Sequence, residues 1–179
     1  MRLMSNLRLV LSDVKYKNEY LDFISECRED LKETFFDSVI PISDEETFEN
    51  DINKLINMRI GKDLPDTWVP QSTYWLLENG GRIIGVVIIR HKLNERLRFR
   101  GGHIAYYIRP SERNKGYGNQ ILSLALERCR DLNLQRVLLT CRKDNIPSSR
   151  IIKNNGGQFD SEDIDNTQVI QRYWIELPE

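Results

Sequence analysis

Cysteine is scarce in this sequence: Cys27, Cys129 and Cys141 are far apart, odd in number and never spaced as CxxC. That argues against a disulfide framework and against a zinc site, so no metal is expected, and it fits a reducing compartment. An excess of charge is missing as well. The 26 lysines and arginines meet 27 aspartates and glutamates, for a formal net charge of −1, which gives no global attraction to nucleic acid or to an anionic membrane surface. No stretch approaches the roughly 20 apolar residues that a membrane span needs. The opening "MRLMSNLRLVLSD" lacks the long apolar core of a secretion signal. Internal repeats and low-complexity segments are absent. What remains is an ordinary soluble composition, 40% hydrophobic and 30% charged. The expectation is one cytoplasmic domain spanning residues 1–179, large enough to bury a sizeable core.

Hydrophobic spacing then orders the chain. Residues 7–13 alternate as a strand. Residues 18–34 carry Tyr20, Leu21, Phe23, Ile24, Cys27 and Leu31 at helical spacing. Residues 43–59 read as a second helix, with Ser43 as N-cap and Glu46 completing a capping box. Two prolines and a glycine make 61–72 an irregular loop. Beyond it, 72–78, 81–91 and 102–108 read as strands, the first two joined by a tight turn at Asn79-Gly80-Gly81. A helix over 116–133, a buried strand over 135–141 and a short helix over 146–155 closed by Gly156 follow. The last element, 167–177, is a strand or a pair of strands. This order predicts a mixed α/β chain, mostly antiparallel, with one right-handed crossover from 102–108 through the 116–133 helix to 135–141.

The doorway of the 116–133 helix carries the chemical signal. Its sequence, "RPSERNKGYGNQ", puts Gly116 and Gly118 beside Arg113 and Lys115. The first backbone N–H groups of a helix lack intrahelical partners and carry the positive end of its dipole. A glycine there lets an anion approach closely. A strand, a cationic glycine turn and a helix therefore make a phosphate cradle; the plainer alternative is a tight turn with solvated cations. The P-loop order is wrong, because Lys115 precedes Gly116, and the dinucleotide fingerprint fails, because Ile121 stands at the third glycine.

Arg113-Asn114-Lys115-Gly116-Tyr117-Gly118 resembles the [QR]-x-x-G-x-[GA] signature of the GNAT superfamily of N-acetyltransferases. Downstream, "DNIPSSRIIKNNGG" resembles that family's N-x-x-[SA] segment, with Asn145, Ser148, Ile151, Ile152 and Gly156 on its positions. The resemblance covers roughly residues 72–160. It implies a GNAT-like fold of α/β (α+β) type, with a mostly antiparallel central sheet splayed between strands 4 and 5 and helices on both faces. It also implies acetyl-CoA as cofactor and donor, and direct acetyl transfer to a primary amine of a small molecule or peptide.

Carried over residue by residue, Arg113, Asn114, Lys115, Gly116, Tyr117, Gly118 and Asn119 would hold the pyrophosphate. Tyr107, Ile108 and Arg109 would hold the pantetheine arm by backbone groups, steadying the developing oxyanion. Asn145 and Ser148 would support the cofactor. His103 falls where many members have a catalytic glutamate, and its ordinary pKa suits a base; a packed strand histidine is the alternative. Where the family often has a proton-donating tyrosine, this chain has Ile152. Tyr107, on the same strand face as His103, is a candidate in its place, and Tyr106 and Ser149 are others. Cys141 reads as a buried structural thiol rather than a nucleophile.

For the acceptor, Trp68, Tyr74 and Trp75 would form an aromatic slot, with core packing as the alternative for Tyr74 and Trp75. The run "RHKLNERLRFR" over 90–100 is the connection between two strands, either a solvated hairpin or an attractor of anionic acceptors. Members of the family often dimerise, so a homodimer is an open expectation; no nucleic acid and no membrane partner is expected. Two rival readings remain: a degenerate acyl-CoA-binding sensor or interaction module, motivated by Ile152, and a nucleic-acid module using the 90–100 run.

Overall fold

The most apolar run of the chain sits where both faces of a strand are covered. β3 (Ile83–Arg90) is buried along all but its last residue, and such a run is stable only with packing above and below it. It lies inside an antiparallel sheet of order β1-β2-β3-β4, with β1 (Arg8–Leu11), β2 (Gln71–Leu77) and β4 (Ile104–Ile108). Trp75 stands opposite Val86, and Gly85 opposite Ile108. A second antiparallel sheet has the order β5-β7-β6, from β5 (Arg136–Arg142), β6 (Gln158–Asp165) and β7 (Gln168–Glu176). This is a computed structural model, and it describes residues 6–178; the sequence reading of residues 1–5 and 179 lies outside them.

Side-chain alternation sends each strand's residues to two different cores. Trp75, Leu77, Val86, Ile88 and Tyr107 face α1 (Lys17–Lys32) and α2 (Phe48–Ile60), packing on Tyr20, Phe23, Leu31 and Ile52. Leu76, Val87, Ile89, Ile104 and Ile108 face the other way. They meet Ile121, Leu122, Ala125 and Cys129 of α4 (Tyr117–Asp131) and Ile152 of α5 (Ile146–Asn154). Each fully buried aliphatic side chain of this kind contributes about 1.5–3 kcal/mol. The expected mixed fold, with helices on both faces, is the one observed. Among the described residues no helix is long and apolar enough to cross a membrane.

Three local readings are corrected. The capping box lies one residue later than Ser43 and Glu46: the Asp44 carboxylate accepts from Thr47 N–H at 2.8 Å, and the Thr47 hydroxyl accepts from Asp44 N–H at 3.0 Å. The Ser43 hydroxyl instead donates to Asp51 at 2.9 Å. The 90–100 connection holds a short helix, α3 (Glu95–Phe99), whose N-cap Asn94 accepts from Leu97 N–H. β6 was not anticipated at all, because its exposed acidic residues carry no apolar alternation.

β4 and β5 run side by side without forming a ladder. They touch at one end. His103 N–H donates to Leu138 C=O at 2.7 Å, and Leu138 N–H donates to His103 Nδ1 at 2.9 Å. Gly102 makes this closure possible: its φ is +62°, and a Cβ there would lie 2.3 Å from the Leu138 carbonyl oxygen. Beyond that point the strands separate.

Candidate active site

The separation opens a cleft of about 1000 Å³, walled by β4, β5 and the N-terminal ends of α4 and α5. Strand geometry decides what β4 shows to it. Arg109 N–H donates to Ile84 C=O and His103 C=O accepts from Arg90 N–H, so the odd-numbered residues of β4 are spent on β3. Alternation turns the main-chain groups of Tyr106 and Ile108 into the gap. Ile108 C=O is taken by Arg113 Nε at 3.0 Å; its N–H faces the cleft.

At the mouth, α4 begins with Gly116 at φ +90° and has no side-chain cap and no acid in its first turn. A Cβ on Gly116 would meet nothing within 4 Å, so the space before the helix is open. Asn114, also at positive φ (+61°), turns the preceding segment so that it lines the cleft with Gly118 and Asn119. An uncapped helix N-terminus opening on a cleft of this size suits the diphosphate of coenzyme A. Gly118 serves a different end from close anion approach: a Cβ there would lie 2.5 Å from Ile151 Cδ1, so it lets α5 pack against α4.

The cations of the signature, though partly exposed, are each paired with an acid of the same chain. Arg113 forms a two-pronged pair with Asp30, at 3.1 and 2.6 Å, and lies over the Tyr107 ring. Lys115 pairs with Glu112 at 3.0 Å and is not among the cleft-lining residues. Arg109 is 3% exposed and is held by Glu26, Asp22 and Ile83 C=O, away from the cleft. Arg150, which the sequence reading passed over, is exposed on the cleft wall. It makes no ion pair among the described residues.

His103 and Tyr107 do not share a chamber: Tyr107 lines the cleft beside Asp30 and Phe36, and His103 does not. His103 is 6% exposed and outside the cleft lining. Burial, reinforced by Arg98 and Arg90, pushes its pKa down to about 4. With Nδ1 accepting a main-chain N–H, the ring is neutral and joins the sheets. Tyr107 packs between Phe23 and Phe36, and its hydroxyl donates to Asp30 at 2.6 Å. Burial and that carboxylate push its pKa far up.

On the opposite face, Tyr106 lines the cleft and its hydroxyl lies 3.1 Å from Ser148 Oγ. Burial raises its pKa to about 12, so it carries a proton at neutral pH. Asn145 caps α5, accepting from Ser148 N–H at 3.2 Å, and lines the same wall. Ser149 is turned inward to Tyr173. Cys141 borders the cleft, but burial raises its thiol to about 11, so it is not a thiolate.

Of the three acceptor aromatics, Trp68 lines a second chamber of about 510 Å³. Trp75 is fully buried and stacked on Tyr20 at 4.6 Å, and Tyr74 packs against the α4 core. Neither lines the cleft or the chamber.

A family model described as acetyltransferase (GNAT) family matches residues 25–156, which include most of these walls. The chain belongs to the GNAT family. It shares 37% identity over 54 residues with an uncharacterized N-acetyltransferase, YnaD, of Bacillus subtilis (strain 168). That match covers 30% of this chain and 32% of YnaD, so the chain aligns with about a third of that relative's length. Its fold resembles RimL, a ribosomal alpha-N-protein acetyltransferase in complex with coenzyme A, at TM-score 0.70 and 14% identity over 98% of this chain and 96% of that one. It also resembles a chimeric spermidine N-acetyltransferase SpeG from Vibrio cholerae, at TM-score 0.64 and 17% identity over 96% of each chain.

The GNAT family is one of acetyltransferases. The splayed GNAT sheet is seen directly in the broken β4–β5 pairing. What sequence reasoning missed in this GNAT site is the pairing of Tyr106 with Ser148 and the place of Arg150 on the cleft wall. Both Tyr106 and Tyr107 line the cleft, but alternation turns the Tyr106 hydroxyl to Ser148 and the Tyr107 hydroxyl to Asp30 of α1.

Proposed function

We propose that this GNAT acetyltransferase transfers the acetyl group directly from acetyl-CoA to a primary amine of a small molecule or peptide, with both held in one complex. The observation that carries this reading is the uncapped, glycine-led N-terminus of α4 opening on the gap between β4 and β5. Acetyl-CoA, when bound, supplies the thioester. The N–H groups around Gly118 and Asn119 face the diphosphate, and Arg150 adds the charge that Arg113 and Lys115 spend elsewhere. Main-chain groups of Tyr106 and Ile108 pair with the pantetheine arm, and Ile108 N–H is aimed at the charge that develops on the acetyl oxygen. Asn145 and Ser148 hold the α5 end.

Proton traffic follows from what is free. His103 is a joint between the sheets, so the acceptor amine loses its proton to water rather than to that ring. Tyr106 is the hydroxyl placed to protonate the departing thiolate, a role that Ile152 cannot fill. A catalytically silent acyl-CoA sensor is therefore not favoured by Ile152. The three cysteines are buried and unpaired, which suits the cytoplasm. The two cores share one sheet between them, which supports a single domain.

The test is calorimetric titration of the purified protein with acetyl-CoA, with ATP and NAD as controls, followed by an amine panel read by thiol release. Micromolar acetyl-CoA binding, neither control binding, and amine-dependent thiol release are expected. Binding without release from any amine would return the chain to the sensor reading.

A further inference from the structure

The second chamber adjoins the cleft and shares Phe36, Arg100, Gly101 and Ala105 with it. Its charge is one-sided. Arg90, Arg96 and Arg100 line it against one acid, Asp165, and Asp165 is already paired with Arg100. Arg90, at the end of β3, donates only to the carbonyls of Gly101 and Gly102, at 3.0 and 3.2 Å. Those are neutral acceptors, and among the described residues Arg90 has no carboxylate partner. Arg96, on the first turn of α3, is exposed and makes no ion pair among the described residues. Burial, with Arg96 close by, lowers the Arg90 pKa to about 10. Two guanidinium groups facing one partly enclosed space without a counter-charge repel each other. An anion placed between them removes that penalty and gains charge-assisted hydrogen bonds. Trp68, Val69, Leu97 and Phe99 add apolar surface to a wall that also includes Thr67 and Gln71.

We propose that the amine acceptor carries a carboxylate, which sits on Arg96 and Arg90 while the amine end faces the Ala105 wall shared with the cleft. The inference rests on the transferase reading above. It sets this chamber against polyamines, whose second cation would meet guanidinium groups. A cavity of about 510 Å³ takes a side chain or a small amino acid, not a nucleic-acid strand. The carboxylate can belong to a free amino acid or to an acidic side chain beside a peptide's N-terminus.

The experiment compares matched acceptors in the thiol-release assay with the full chain: 5-aminopentanoate against pentylamine, and peptides opening Ser-Asp against Ser-Asn. A preference for either carboxylated member is expected, and which pair shows it names the source. Arg96→Ala should raise KM for that acceptor roughly ten-fold, Arg96→Lys should keep most of the affinity, and acetyl-CoA Kd should not change. Equal kcat/KM within both pairs overturns the carboxylate and leaves the transferase reading standing. Absence of thiol release from every amine strikes the transferase reading instead. In that case calorimetry of N-acetyl-5-aminopentanoate into the CoA-loaded protein decides. No binding, or equal binding by Arg96→Ala, overturns the anion site.

Discussion

On one side of Ala105 the chain offers main-chain groups; on the other it offers side chains. The cleft proposed for the donor is built from the N–H groups before and within α4 and from the open edge of β4, while Arg113 in its wall is paired with Asp30. The chamber proposed for the acceptor is lined by Arg90, Arg96 and Trp68, and among the described residues neither arginine has a carboxylate partner. Main-chain sites tolerate replacement of the side chains around them, because the binding atoms belong to every residue type. Side-chain sites change specificity with one substitution. A common donor and a particular acceptor call for that division.

The strongest way to break this contrast is to spoil main-chain geometry. Gly116→Val forces a β-branched residue to φ +90°, a strain of about 1–2 kcal/mol, and fills the mouth of α4. Acetyl-CoA Kd should weaken by more than about ten-fold in calorimetry while the circular dichroism spectrum stays folded; an unchanged Kd would remove the cradle. Next in size is His103→Ala, which leaves Leu138 N–H buried without its acceptor, a loss of about 1–3 kcal/mol. A fall in Tm of roughly 3–8 °C is expected for a chain of this size.

The pH dependence at His103 has a definite sign. Its folded pKa, about 4, lies below the unfolded value of about 6.5, so between these the unfolded chain binds more protons. Its contribution to stability is complete above about 6.5 and is lost as pH falls towards 4. Wild type should lose Tm in that window more steeply than His103→Ala. A rate profile whose inflection near neutral pH disappears in the variant would restore the ring as a base.

Smaller effects sharpen the division. Tyr106→Phe should lower kcat by about ten-fold with acetyl-CoA Kd unchanged; an unaltered kcat assigns thiolate protonation to solvent. Arg150→Ala should weaken acetyl-CoA about 3-fold, and more at low salt, as an exposed contact does. Lys115→Ala should move Kd by less than about two-fold, since Glu112 already occupies that ammonium. A larger effect at Lys115 than at Arg150 would reverse their roles.

The sequence made β2 to β4, α4, β5 and α5 legible because apolar periodicity and the glycine signature coincide there. β6 escaped because Asp160, Glu162, Asp163 and Asp165 hide an edge strand that needs no apolar face. Within the site, the position of Gly116 was readable, but the fate of Arg113 was not. Its partner, Asp30, is 83 residues away, in the last turn of α1. The choice between base and packed residue at His103 stayed open for a similar reason: motif alignment places it at the start of β4 but does not show the Leu138 main chain that captures its ring. Trp75 was offered to the acceptor because an aromatic looks alike in core and cleft until Tyr20 is stacked on it.

The broken pairing of β4 and β5 also bears on the protein between turnovers. Unpaired strand edges are templates for foreign strands, and here Tyr106 and Ile108 present such an edge inward. Coenzyme A lying along it would act as a surrogate strand. Amide hydrogen exchange at Tyr106 and Ile108 should therefore slow when the donor is saturating. Because a ligand that binds only the native state stabilises it in proportion to the logarithm of its concentration, the cell's coenzyme A pool would help set how long each copy of this chain survives.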